Sequence, residues 1–247
     1  MRPRTLATAL VLAALAAGGA TANAVTGRQT AGAAGGWATE VDNPYFPLAP
    51  GTTWVYRGSR DGAPTRDVVT VTDRTLTIQG APATVVHDDL YVSGRLFETT
   101  DDYYAQDSEG TVHYLGEDTK ELDKHGRVVS TEGSFRAGVD GAQGGIIMLA
   151  HPHVGDAYQQ EFYAGHAEDQ AKVLSVSATV AVPFGTFHPA VRTEETTPLE
   201  PAVVENKWYA KGIGEVRAED VQGGSDFDEL VSMTKRNDGS GGGRRGV

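Results

Sequence analysis

The chain has no cysteine in 247 residues. That excludes disulfides, thiolate zinc sites, iron–sulfur clusters and a thiol nucleophile. Without disulfides, which an oxidising compartment would permit, the fold has to rest on its hydrophobic core. Positive charge is also scarce: 21 Lys and Arg stand against 33 Asp and Glu, a net charge of −12. A protein that binds nucleic acid by covering phosphates needs the opposite balance, so no nucleic-acid partner is expected. No run of 18 apolar residues is present, so no membrane span is expected. Helical periodicity is missing too. No 12-residue window has apolar residues at helical spacing, and the best helical candidate is the short stretch His166 to Leu174. Gly-x-Ser-x-Gly, His-Glu-x-x-His and phosphate-loop patterns do not occur.

The N-terminus reads as a targeting segment. Arg2 and Arg4 precede a 12-residue apolar run, Leu6 to Ala17, and Ala22-Asn23-Ala24 follows. A basic start, an apolar centre and an A-x-A end describe a secretory signal peptide, residues 1–24. No adjacent arginine pair precedes the apolar run, so the Sec route is expected. Cleavage after Ala24 would leave 19 basic and 33 acidic residues, a net charge of −14. A secreted or extracytoplasmic location follows. Residues 25–42 are rich in Gly, Ala and Thr and read as a flexible leader. Residues 236–247 read as a disordered Gly-rich tail.

Between them, residues 43–235 read as all-β. Thr52 to Tyr56, Asp67 to Ile78, Arg95 to Tyr104, Val173 to Val182, Val203 to Tyr209 and Leu230 to Met233 are β-branched and aromatic, with alternating polarity. Asp61-Gly62, Gln79-Gly80, Glu109-Gly110 and His125-Gly126 punctuate them as turns. The expectation is antiparallel sheets forming a sandwich or a barrel-like domain.

The chain also resembles itself. Trp54 matches Tyr158, Asp67–Val71 matches Ala171–Ser175, and Val85–Asp89 matches Ala190–Glu194. Tyr103-Tyr104-Ala105-Gln106 matches Trp208-Tyr209-Ala210-Lys211, and Val129-Ser130 matches Val231-Ser232. The offsets stay near one value, so the spacing predicts an internal duplication with halves at about 43–135 and 149–235.

Asn43-Pro44-Tyr45-Phe46-Pro47-Leu48, with Pro50-Gly51-Thr52-Thr53-Trp54-Val55-Tyr56, resembles a family of secreted bacterial proteins of unassigned function. Gly165-His166-Ala167-Glu168-Asp169 and Tyr209-Ala210-Lys211-Gly212-Ile213-Gly214 are similar to the same family. The resemblance implies an exported all-β domain and no particular activity.

Three sets of residues are candidate sites. Trp54, Tyr104, Tyr158 and Trp208, at equivalent places in the two halves, can wall a cleft for an apolar small molecule or a glycan. This carries the leading reading, a non-enzymatic binding or envelope-associated protein. His151 and His153, with His166 and Glu168, offer nitrogen and oxygen ligands for zinc, with Glu161 or Asp169 as base. That is the alternative, a metal-dependent hydrolase or lyase. The acids from Asp101 to Glu109, with Glu117-Asp118, are a calcium candidate, although Asp107-Ser108-Glu109-Gly110 reads first as a hairpin turn. Asp102 with Glu98, or Glu194 with Glu195, are carboxylate pairs of the kind glycosidases use. Gly141 to Gly145 reads as a loop crossing between the halves.

Overall fold

The structure, a computed structural model, describes residues 36–236, which hold fifteen strands and no helix. The expected signal peptide and all but one residue of the expected tail lie outside the described residues. A first meander runs through β1 (Thr53–Arg60), β2 (Ala63–Ile78), β3 (Ala81–Val92), β4 (Arg95–Gln106) and β5 (Val112–Leu122). Its first three hairpins turn on two residues each. Asp61-Gly62, Gln79-Gly80 and Ser93-Gly94 all have positive φ at both positions, as the hand of a two-residue hairpin turn requires. The short strands β6 (Val128–Ser130), β7 (Phe135–Arg136) and β8 (Gln143–Met148) all pair with β5. Gln143 to Gly145 therefore belongs to a strand, and the crossing loop expected there is confined to residues before it.

The chain continues through β9 (Ala157–Gln159) and β10 (Glu161–Phe162) into a second meander. That meander comprises β11 (Gln170–Val182), β12 (Gly185–Thr196), β13 (Val204–Ala210), β14 (Gly214–Gln222) and β15 (Phe227–Thr234). The helical candidate at His166 to Leu174 is a turn leading into β11, whose residues pair with β9 and β12. Sheet pairing here outweighs a weak local helical pattern.

One antiparallel sheet holds everything, in the order β10-β8-β5-β4-β3-β2-β1-β15-β14-β13-β12-β11-β9. The meanders join where β1 pairs with β15, from Thr53 opposite Thr234 to Ser59 opposite Phe227. Gly58 permits this close approach, since a Cβ there would lie 1.6 Å from the Phe227 carbonyl oxygen. At the other seam one short stretch serves both edges. Tyr158 pairs with Ala171 of β11, and Glu161 pairs with Gly144 of β8. The sheet is thus almost closed into a barrel, as the all-β barrel-like expectation had it.

Both meanders feed one core. Val71, Val86, Tyr104 and Tyr114 pack with Val173, Val191, Tyr209, Val216 and Leu230. Strand alternation sends the neighbouring residue the other way: Tyr103 joins Ile78, Val85 and Leu115 in a smaller cluster, against which Trp37 packs.

The start of the described chain is docked. Trp37 forms a bridge with Asp107, and Val41 and Leu48 are in the main core. The Gln106 side chain binds this segment, accepting from the backbone N–H groups of Asp42 and Asn43 at 3.0 and 2.8 Å and donating to Asp42 Oδ1. The buried Asn43 amide donates to the carbonyls of Gly110 and Leu149. The leader expected to be flexible up to residue 42 is therefore held from Trp37 onward, because its few apolar side chains are covered by the barrel.

Candidate interior site

Alternation along β4 places Glu98, Thr100, Asp102, Tyr104 and Gln106 on one buried face. The register between β4 and β5 shifts between Asp102 and Tyr104. The shift lets Tyr114 and Glu117, three residues apart, reach the same group. The Tyr114 hydroxyl lies 2.7 Å from Asp102 Oδ1 and 3.1 Å from Glu117 Oε2, and the Thr119 hydroxyl donates to Glu117 Oε2 at 3.2 Å. Tyr104 stacks on Tyr114, and Phe135 meets Tyr114 edge-on.

The second meander builds a counterpart. Glu195 on β12, Glu205 and Lys207 on β13 and Glu215 on β14 are all buried. The Lys207 ammonium lies 3.1 Å from Glu195 Oε2 and 3.5 Å from Glu205 Oε2. Glu195 Oε1 also accepts from the hydroxyls of Thr193 and Tyr209, and Gln160 donates to its other oxygen.

Burial dominates the electrostatics. It raises Asp102 to about 8, helped by Asp88 and opposed by the Tyr114 hydrogen bond. Glu117 rises through burial and then the charges of Asp102 and Glu98. Glu161 rises through burial and then Asp169, Glu117 and Asp102. Burial also lifts Glu98 and Glu215 to about 8, and Asp169 to about 7. Lys207 moves the other way from a lone buried amine. Its three surrounding carboxylates outweigh desolvation and hold it charged, with its pKa well above the usual lysine value. Lys207 on β13 acts on Asp102 of β4 and on Glu161 of β10, strands it does not pair with, so these groups face one another across the interior.

Both carboxylate oxygens of Glu161 are buried without a hydrogen-bond partner, and so is Glu117 Oε1. Glu161 is only 2% exposed. Native proteins seldom leave buried polar atoms unpaired.

The residues expected to wall a cleft are all in the main core. The Trp54 indole N–H donates to the Ile213 carbonyl at 2.8 Å, and the Arg217 guanidinium sits over Trp208. The interior carboxylates Asp102 and Glu117 act on Tyr104, and Glu195 acts on Tyr158.

The histidines expected to bind metal have separate engagements. His151 is exposed, and His153 is 78% exposed and beside Asp156. His166 pairs with Glu132 at 2.9 Å and stacks on Tyr163, while Glu168 accepts the Gly165 N–H. Among the described residues, no group of three or more His, Asp or Glu side chains is arranged to hold a metal ion. Asp107 forms the expected turn, accepting the N–H groups of Glu109 and Thr111. Glu98 and Asp102 are both interior, whereas Glu194 and Glu195 point to opposite faces of β12. The interior cluster was hidden in sequence because carboxylates alternating with other residues read as the solvent face of a strand.

No protein-family model and no curated protein matches the chain. Among solved structures it is similar to a Bacteroides fragilis protein named as exported, with a YmcC-like fold. The identity is 16%, over 77% of this chain and 99% of that one, with a TM-score of 0.46. It is also similar to a Parabacteroides distasonis protein named as a lipoprotein, at 14% identity over 78% of this chain and 99% of that one, with a TM-score of 0.44.

Proposed function

We propose that the protein works outside the cytoplasm as a binding protein, without catalysis, and holds its ligand inside the barrel. Export is read from residues 1–24. One observation carries the binding reading: the wholly buried Glu161 carboxylate has no hydrogen-bond partner, beside a tyrosine-rich core. A structural interior gains nothing from an unpaired buried carboxylate, which costs stability, whereas a ligand could supply its partners. Tyr104 and Tyr158 are the proposed aromatic walls, with Trp54 and Trp208 supporting them. Tyrosine hydroxyls among carboxylates suit a polar or glycan ligand better than a purely apolar one. The hydrolase reading lacks comparable support, since His151, His153, His166 and Glu168 are not drawn onto one point.

We also infer that the two meanders arose by duplication. The matched residues Trp54 and Tyr158 lie on β1 and β9, and Tyr104 and Tyr209 lie on β4 and β13. In the order of the sheet, β1-β2-β3-β4 corresponds to β9-β11-β12-β13, so each pair occupies the same place counted from β1 and from β9.

Native mass spectrometry of the exported, untagged chain tests the binding reading. A bound small molecule released on denaturation is the expected result. A bare mass, together with a melting temperature unmoved across sugars, amines and lipids, overturns it.

A further inference from the structure

The two meanders handle buried carboxylates differently. In the second, Lys207 stands two residues before Tyr209 on β13, and its ammonium lies 3.1 Å from Glu195 Oε2 and 3.5 Å from Glu205 Oε2, which leaves Glu205 Oε1 as the unpaired oxygen of that pair. In the first, Asp102 stands two residues before Tyr104 on β4, where the other strand has lysine. Asp102, Glu117 and Glu161 accordingly have a tyrosine hydroxyl among them and no ammonium of their own at hydrogen-bond distance. Of the oxygens of these three acids, Glu161 Oε1, Glu161 Oε2 and Glu117 Oε1 have no hydrogen-bond partner. A primary ammonium has three N–H donors to offer and no acceptor. Calcium wants six or more oxygens, and no metal-holding group exists among the described residues.

We propose that Asp102, Glu117 and Glu161, on β4, β5 and β10, form a binding site for a primary ammonium group. The ligand takes the role in the first meander that Lys207 plays in the second. The proposal rests on the binding-protein reading and names the ligand's chemical class. Tyr104 and Tyr114, stacked on each other beside Asp102, make the surroundings of the site aromatic. The site lies at the short seam of β10, which is held to β8 by two residue pairs, Glu161 with Gly144 and Phe162 with Gln143.

The groups facing the site are Asp169 before β11, Glu98 and Tyr104 on β4, Tyr114 on β5, Asp88 on β3 and Lys207 on β13. All but Lys207 and the two tyrosines are carboxylic acids, so with the site empty its carboxyls hold protons. An ammonium binds the ionised forms and displaces those protons. Affinity therefore rises with pH until the amine itself loses its proton, and it fails in acid, where the carboxyls stay protonated.

The probe is n-butylammonium chloride, added to the exported, untagged chain and followed by melting temperature and calorimetric titration at pH 8 and pH 5. Tetramethylammonium and calcium chlorides at equal ionic strength are the controls. Butylammonium should raise the melting temperature saturably at pH 8 and not at pH 5, and tetramethylammonium, which has no N–H, should not. Glu161→Gln keeps the shape and should weaken butylammonium about tenfold or more, the scale of a lost charge-assisted contact. Asp102→Lys should abolish binding by supplying an ammonium from the chain. If Asp102→Lys does not fold, the Glu161→Gln result decides. A butylammonium response unchanged in Glu161→Gln, a response matched by tetramethylammonium, or no response at pH 8 overturns the proposal, as does stabilisation by calcium alone. A neutral ligand found by native mass spectrometry and not displaced by butylammonium overturns the ammonium assignment and leaves the binding reading standing.

Discussion

Lys207 on β13 and Glu195 on β12 meet 3.1 Å apart inside the barrel, with side chains 3% and 9% exposed. The two residues lie on adjacent strands in a diagonal relationship, since Lys207 pairs with Thr193 and Glu195 with Glu205. Their contact is the point around which the carboxylates of the second meander are arranged.

Removing that ammonium leaves buried carboxylates without a counter-charge. Lys207→Met should destabilise the protein by about 3–5 kcal/mol near pH 8, the range for breaking a buried ion pair. The loss should shrink near pH 5, where Glu215 takes a proton in the folded state. Urea unfolding at both pH values measures it. An equal loss at both would mean that Lys207 acts through packing alone.

The whole protein should be most stable on the acid side of neutrality. Glu98, Asp102 and Glu215 are raised to about 8, and Asp169 and Asp228 to about 7. In the unfolded chain such groups titrate near 4. Between those values the folded state binds more protons than the unfolded one, so their contribution is full below about pH 4 and is lost as pH rises through 7 to 8. The ligand-free melting temperature should fall steadily from pH 5 to pH 8. A rise over that interval would show that the interior carboxyls are ionised and paired in the fold.

Gly145 guards the seam between β8 and the stretch that leads from β9 to β10. A Cβ at this position would lie 2.2 Å from the Gln159 carbonyl oxygen and 2.6 Å from the Gln160 backbone. Backbone cannot yield as a side-chain tip can, so Gly145→Ala should cost about 1–3 kcal/mol, as overpacking does. Amide exchange should speed up at residues 157–162 first, with β1 to β4 keeping their protection. Uniform loss of protection would place the strain elsewhere.

Asn43 ties the segment before β1 to the barrel. Its amide donates to Gly110 and Leu149 carbonyls at 2.8 and 3.1 Å, and its Oδ1 accepts the Tyr45 N–H at 2.9 Å. Asn43→Ala should cost about 1–3 kcal/mol, because it strands buried backbone groups. Limited proteolysis should then cut first within residues 37–52. Unchanged resistance there would make Gln106 the principal tie.

Much of the strand layout was open to reading because its signals are local. Asp67 to Ile78 alternates, and Gln79-Gly80 ends it with a positive-φ turn, so β2 ends where expected, although it starts four residues earlier, at Ala63. Ser93-Gly94 makes the same turn within a stretch that lacks such clear alternation around it. The interior acids were harder to see. Glu98, Asp102, Glu205 and Glu215 look like solvent-facing residues until closure of the sheet turns their side inward, and closure depends on pairings far apart in sequence, such as β1 with β15. Glu161 was legible only as a possible base beside histidines. Its burial comes from a two-residue strand, which leaves almost no periodicity to read.

Thr53 and Thr234 are cross-strand partners, and the Arg236 N–H donates to the Gly51 carbonyl at 3.1 Å. The first strand and the last therefore start and finish side by side, so the strands run almost full circle. A short peptide joining these two points, with new ends cut at the exposed His125-Gly126 turn, would leave every strand pairing in place. The barrel is in this sense a ring of strands, and where the polypeptide enters that ring is a separate matter from its shape.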